Sequence, residues 1–219
     1  ISTFTSCQRK WGYQYIDNIK LPASKAAQFG SSVHKTLENY LITNQIKHET
    51  KEGRVASPGL VYLPNKKLSK SQIEKYFSFE KEGFSFHGYI DFYEEVGSQT
   101  WLIGDHKTCS TFATALTTDE LKTNIQANIY AQWAFQELGA ETVKLKWIYY
   151  RTEGTPQAKC IEAEIKKHEQ NSLFWPQLQI ASDIKTIVEK KLDSVELPKN
   201  LSACFKYGRC PFYGPCRAN

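Results

Sequence analysis

Residues 84–108 constrain the fold more than any other part of the chain. Phe84, Phe86, Ile90 and Phe92 alternate with Ser85, His87, Tyr89, Asp91 and Tyr93. This period of two gives a strand one apolar face. Gly97, Ser98 and Gln99 break the pattern, and residues 101–108 read as the return strand of a hairpin. If those three residues form the loop, Val96 pairs with Thr100 and Asp91 falls opposite Asp105. Cross-strand partners share a face, with Cβ atoms roughly 4.5–5.5 Å apart. Lys107 follows Asp105 by two residues and lies on the same face. A two-residue loop shifts the pairing by one and weakens this juxtaposition.

The flanking patterns place the hairpin in an α/β chain. Residues 26–46 carry Val33, Leu37, Tyr40 and Leu41 at helical spacing. Residues 53–70 are rich in Gly, Pro, Lys and Asn, with a strand expected over 55–63 and loop beyond it. A helix is expected over 118–138, capped by Thr118 and followed by Gly139. Strands over 143–151 and 159–165 and a polar amphipathic helix over 168–191 complete the pattern. This order points to a central mixed β-sheet flanked by helices. There is no internal repeat or composition break, so a single domain over 1–219 is expected, with 1–20 and 195–219 as a cysteine-rich subregion. Aromatic residues make up 13% of the chain, enough for a core without disulfide staples. No run of about 18 apolar residues and no signal-like start occur, which leads us to expect a cytoplasmic protein with no membrane partner.

The two acids and the lysine carry the chemistry. Carboxylates this close repel each other and raise one pKa unless a cation lies between them. A hard dication such as Mg²⁺ or Mn²⁺ resolves the conflict, since both prefer oxygen ligands. A charged lysine is no ligand, but it can orient a water or stabilise developing negative charge. Metal, water and lysine around a phosphate make a phosphodiester-hydrolysis site. An ordinary Asp91–Lys107 ion pair is the plain alternative. His34 lies on the first helix in Gly30-x-x-x-His34. Gln126 and Tyr130, four apart on the second helix, share a face on which an amide and a phenol could hold a nucleotide strand.

Six cysteines are present, three of them in the last sixteen residues. Cys7, Cys204, Cys210 and Cys216 could bind one metal centre and tie the chain ends together. Both C-terminal gaps are five residues, a poor match to the short pairs of structural zinc. Four thiolates from separated positions suit an iron–sulfur cubane better, with zinc and then disulfides as alternatives. Cys109 and Cys160, on expected strands, read as small buried apolar residues.

Taken together, Gly30-x-x-x-His34, Gly88-Tyr89-Ile90-Asp91, Asp105-His106-Lys107 and Gln126-x-x-x-Tyr130 resemble the RecB-like exonuclease branch of the PD-(D/E)XK nuclease superfamily. The cysteine layout resembles its iron–sulfur members, such as AddB-type nuclease domains and CRISPR-associated RecB-like exonucleases. The resemblance spans residues 7–216. It implies a restriction-endonuclease-like core. It also implies that His34, Asp91, Asp105 and the His106 carbonyl bind Mg²⁺ or Mn²⁺, and that Lys107 is the catalytic lysine. Gln126 and Tyr130 would position DNA, and the four terminal cysteines would hold a 4Fe–4S cluster. The second acidic position is Asp105, where many members carry Glu.

The expected activity is therefore a metal-dependent DNA exonuclease acting on single-stranded or open ends, in recombination, repair or mobile-element processing, bacterial or phage-encoded. Alternatives are endonucleolytic end-trimming in CRISPR adaptation and a non-catalytic iron–sulfur DNA-binding scaffold. A net charge of +5 permits a polyanionic partner without demanding one. Arg9, Lys10, Lys66, Lys67, Lys70, Lys144 and Lys146 are candidates for a DNA path. Trp11, Tyr13 and Tyr15 could stack bases, although packing around the cysteines suits them better. No ATP-binding Gly-rich loop with its Lys occurs, so a helicase or recombination partner would supply any motor.

Overall fold

The computed structural model describes residues 1–205 and 209–218, so part of the expected cysteine-rich subregion lies outside the described residues. Along the chain come α1 (Ser2–Ser6), α2 (Gln8–Tyr15), α3 (Lys25–Thr43) and α4 (Lys51–Ala56). Strands β1 (Ile73–Lys81), β2 (Phe84–Gly97) and β3 (Thr100–Cys109) follow, then α5 (Thr118–Lys122) and α6 (Ile125–Glu137). The chain continues through β4 (Thr142–Arg151), β5 (Ala158–Lys166), α7 (Gln170–Glu189) and α8 (Tyr213–Ala218). Two compact units result: residues 24–174, and residues 1–23 with 175–219.

The central unit is a five-stranded sheet in the order β1-β2-β3-β4-β5. Only β3 and β4 run parallel, so the sheet is mixed and flanked by helices, as the sequence pattern predicts. The β2–β3 turn differs from expectation. Gly97 pairs with Thr100 across a two-residue turn, and Val96 forms a bulge. Beyond the bulge Glu95 pairs with Trp101 and Phe92 with Gly104, which restores the expected register. A bulge inserts one unpaired residue into one strand, and here it offsets the shorter turn.

The two sheet faces carry different cores. On one, Val33, Leu37 and Leu41 of α3 pack with Val55, Ile73, Phe92, Ile148 and Tyr150. The other is an aromatic layer, where Phe77 meets Tyr130 and Trp133 of α6, and Phe86 packs against Phe79 and Phe174. Ile73 and Phe77 have the same parity in β1 yet belong to opposite layers. Between them Glu74 has φ +48, a left-handed conformation that interrupts the alternation.

Three local expectations need correction. Residues 55–63 are not a strand: Thr50 caps α4 by accepting from the Gly53 N–H, and a 3₁₀ helix over Ser57–Tyr62 with Pro near its start follows. The helix expected over 118–138 is two helices. Thr117, not Thr118, caps the first in a capping box with Glu120, and Asn124 caps α6. Strand β1 was not anticipated.

In the terminal unit, Phe4, Trp11, Ile187 and Leu197 form a small core. Arg9 is buried there and donates to the Leu197 carbonyl at 2.9 Å and to that of Val195. Asn200 donates to the Ser6 carbonyl at 2.8 Å, so the first and last stretches hold each other.

Gly104 tests the packing over the hairpin. A Cβ there would fall 1.9 Å from the Phe92 ring. Gly104→Ala should destabilise the protein by about 1–3 kcal/mol, the usual range for overpacking. Chemical denaturation checks this, and an unchanged midpoint would show that the ring yields freely.

Candidate active site

The β2–β3 ladder stops at Phe92↔Gly104, and one residue further on a side chain takes the place of a backbone acceptor. The Asp91 carboxylate Oδ2 accepts the His106 backbone N–H at 2.6 Å. Helix α3 brings His34 to the same carboxylate, with Nδ1 3.6 Å from Asp91 Oδ2. Gly30 makes this approach possible, since a Cβ there would lie 2.8 Å from the Thr108 hydroxyl. Glu74 completes the group: its carboxylate, the His34 imidazole and the Asp91 carboxylate place ligand atoms within 4.8 Å of one another. Glu74 was not anticipated. No motif includes it, and its one signal is a left-handed backbone, a strain of about 1–3 kcal/mol that sequence does not display.

Asp105 and Lys107 form a second group with α6. The Lys107 ammonium lies 2.6 Å from Asp105 Oδ2 and donates to Gln126 Oε1 at 2.9 Å. Gln126 Nε2 donates to Asp105 Oδ1 at 2.9 Å and to the Tyr130 hydroxyl at 2.5 Å. Tyr130 in turn donates to the Tyr89 carbonyl at 2.6 Å and is buried. The break before α6 matters here. The Asn124 side chain accepts from the Gln126 and Ala127 backbone N–H groups, which fixes the first turn where Gln126 sits.

The electrostatics couple the two groups. Burial pushes the Asp91 carboxyl well above the usual carboxylate range, and the Asp105 and Glu74 charges add to this. The His106 N–H and Lys107 pull the other way. Partial burial raises Glu74, helped by the Glu38 and Asp105 charges and opposed by Lys35. Burial also lowers His34, favouring the neutral imidazole that ligates metals, against the pull of Asp105 and the His106 backbone carbonyl. The His106 side chain is turned away into the α3-side core. Its Nδ1 sits 3.1 Å from the Tyr150 hydroxyl, and burial holds it neutral.

These residues fit a divalent cation. The donors are carboxylate oxygens and one imidazole nitrogen, the set that suits Mg²⁺ or Mn²⁺. Asp105 Oδ2 is buried against the Lys107 ammonium at 2.6 Å and has no other donor.

Elsewhere, the sequence-predicted residues disperse. Cys7, Cys204, Cys210 and Cys216 line one small cavity of the terminal unit together with Tyr13 and Phe212. Desolvation and the other three sulfurs raise the Cys204 thiol pKa. All six cysteines are free, and among the described residues no three sulfurs lie within 4.8 Å of one another. Cys109 and Cys160 are half-buried rather than fully buried. Arg9 is a core residue and cannot line a DNA path. Lys66 and Lys146 are paired with Glu94 and Glu162 at 3.1 Å, while Lys67, Lys70 and Lys144 are exposed. Trp11 packs edge-on against Phe4 and Tyr13 stacks on Phe212. Tyr15 stacks on Trp11 and is largely exposed.

The profile of the PD-(D/E)XK nuclease superfamily matches residues 1–58 and 61–217. The chain belongs to this superfamily of hydrolytic nucleases. A crystal structure of a proposed exonuclease from Eubacterium rectale is 14% identical and superposes with a TM-score of 0.55. That match covers 97% of this chain and 81% of the other, which supports the shared fold. The structure of SSO0001, also 14% identical, covers 81% of this chain and 74% of its own at a TM-score of 0.40, too low to bear on the fold. No curated protein matches the chain at a significant level. Among the described residues, no helix is long and apolar enough to cross a membrane.

Tyr130→Phe should leave the Tyr89 carbonyl without its side-chain donor and cost about 1–3 kcal/mol of stability. Equilibrium unfolding checks this, and a variant as stable as the parent would mean that water replaces the hydroxyl at no cost.

Proposed function

We propose that the protein is a Mg²⁺- or Mn²⁺-dependent deoxyribonuclease of the RecB-like branch, an exonuclease acting on single-stranded or open DNA ends. One observation carries the reading: Asp91, Asp105, Lys107 and His34 converge, with Asp91 bonded to the backbone of His106 between the other two β3 residues. His34, Asp91, Asp105 and the His106 carbonyl would hold the dication. When bound, it supplies Lewis acidity at the phosphate and lowers the pKa of the attacking water. Lys107, held by Asp105 and Gln126, is a fixed positive charge beside the phosphorus, where it orients the water and steadies the charge gained in the transition state. The water oxygen bonds to phosphorus in line and gives up a proton to solvent, the bond to the leaving sugar oxygen breaks, and that oxygen takes a proton from solvent to leave as a hydroxyl. Gln126 and Tyr130 support this by fixing Lys107 and Asp105, so their effect on strand position is exerted through those two side chains.

The terminal unit would hold a 4Fe–4S cluster on Cys7, Cys204, Cys210 and Cys216. Their shared cavity supports this. The cluster would staple the two chain ends, and its loss should loosen them.

Lys107→Ala should lower cleavage of end-labelled single-stranded DNA in Mn²⁺ by about 10²–10⁴-fold, and Asp91→Ala should abolish it, with circular dichroism unchanged. Cleavage by either variant at the parental rate sinks the assignment, and cutting of closed circular DNA at the rate of linear DNA favours an endonuclease. Anaerobically purified protein should carry iron and acid-labile sulfide and lose both in Cys7→Ser. A preparation with zinc and no iron refutes the cluster.

A further inference from the structure

We infer that Glu74 is a direct ligand of the divalent cation, seated with His34 and Asp91. The inference rests on the nuclease reading above and adds a residue to its metal site. Three separate elements, α3, β1 and β2, each deliver one donor to this point, and the three ligand atoms lie within 4.8 Å of one another. Asp105 is not among them. Its carboxylate is engaged by Gln126, by Tyr130 and by the Lys107 ammonium. His34, Glu74 and Asp91 are thus the donors on the α3 side, and Asp105 would close the site from the α6 side.

The backbone gives a reason to separate the carboxylate from the strand that carries it. The turnover of β1 between the two core layers needs a left-handed residue at position 74, and Gly or Asn meets that need with the least strain. Glutamate gains nothing there from its backbone. Its side chain borders a cleft of about 470 Å³, shared with Gly30, His34 and Thr108. Glu38 also borders the cleft, but Lys35 pairs with it at 2.7 Å. Lys35 acts on Glu74 only through its charge, with no ion pair between them among the described residues, and the His34 imidazole is the nitrogen donor nearest the Glu74 carboxylate in the group. Two carboxylates and an imidazole together form a donor set that suits Mn²⁺.

Calorimetric titration of the DNA-free protein with Mn²⁺, backed by the Mn²⁺ spin-resonance signal, tests the assignment. Glu74→Gln and Glu74→Gly should each weaken Mn²⁺ binding on the order of tenfold or more. Glu74→Gly should unfold no earlier than the parent without metal, because glycine suits φ +48. Glu82→Gln, at another left-handed glutamate in the β1–β2 turn, should bind Mn²⁺ as the parent does. If both Glu74 variants bind Mn²⁺ like the parent while Asp91→Asn still weakens it, the role of Glu74 is overturned and the nuclease reading stands. A parent that takes up no Mn²⁺ overturns both.

Discussion

The hydrogen bond from the His106 backbone N–H to the Asp91 carboxylate sets the geometry of the central unit. It lies where β2 and β3 cease to pair, and the carboxylate satisfies a donor that the ladder no longer reaches. A buried amide left unmet would cost about 1–3 kcal/mol, so opening the hairpin requires a substitute acceptor at that residue. The same bond fixes where the acid points. It depends on register, and the register depends on Val96. Without the bulge, the two-residue turn would displace every partner by one and send alternate side chains to the wrong face.

The site forms where the sheet stops alternating. In β3, Asp105 and Lys107 face α6 while His106 between them enters the α3-side core. An unbroken sheet would keep these layers apart. Glu74 turns β1 over, so β1 contributes Ile73 to one layer and Phe77 to the other. Donors from α3 and from β1 can then reach the carboxylate of β2. Gly30 does the corresponding work on the helix, letting α3 settle against Thr108 so that His34, one turn later, arrives at Asp91. The strained backbone and the close glycine contact both serve the convergence of side chains from two layers.

How legible this was in the sequence differs from element to element. The hairpin was readable because Phe84, Phe86, Ile90 and Phe92 alternate, although Phe86 and Phe92 enter opposite core layers rather than one face. The bulge was not, because a bulge and a longer loop leave the same residues between the strands. Strand β1 was not anticipated although Ile73, Phe77 and Phe79 keep one parity and are buried; Lys75 interrupts the apolar side of the alternation. The segment around Val55 looked extended because its apolar residues are close together. Thr50 at the cap and Pro58 near the 3₁₀ start decide otherwise, through local backbone bonds that hydrophobic pattern does not record. The split before α6 was hidden because both halves have helical pattern, and Asn124 works as a cap only once the chain has turned. Arg9 looked like a phosphate contact by charge alone, yet its guanidinium is buried against the Val195 and Leu197 carbonyls. Hairpin register let Asp91, Asp105 and Lys107 be placed together, and Gln126 was reached through the family resemblance, whereas Glu74 enters only through the fold.

Charge balance explains why the convergence calls for a cation. Asp91, Glu74 and Asp105 bring three carboxylates, and Lys107, paired with Asp105, brings one ammonium. His34 adds no standing charge, since burial lowers its pKa. The surplus is two negative charges at a place that must admit an anionic phosphodiester. Partial burial weakens solvent screening, so protonating a carboxyl or adding a cation are the two ways to relieve the repulsion. Protonation would remove a ligand and leave the phosphate facing the rest of the acids. A dication would cancel the surplus and keep every carboxylate as an acceptor, so that the site would no longer repel a phosphodiester.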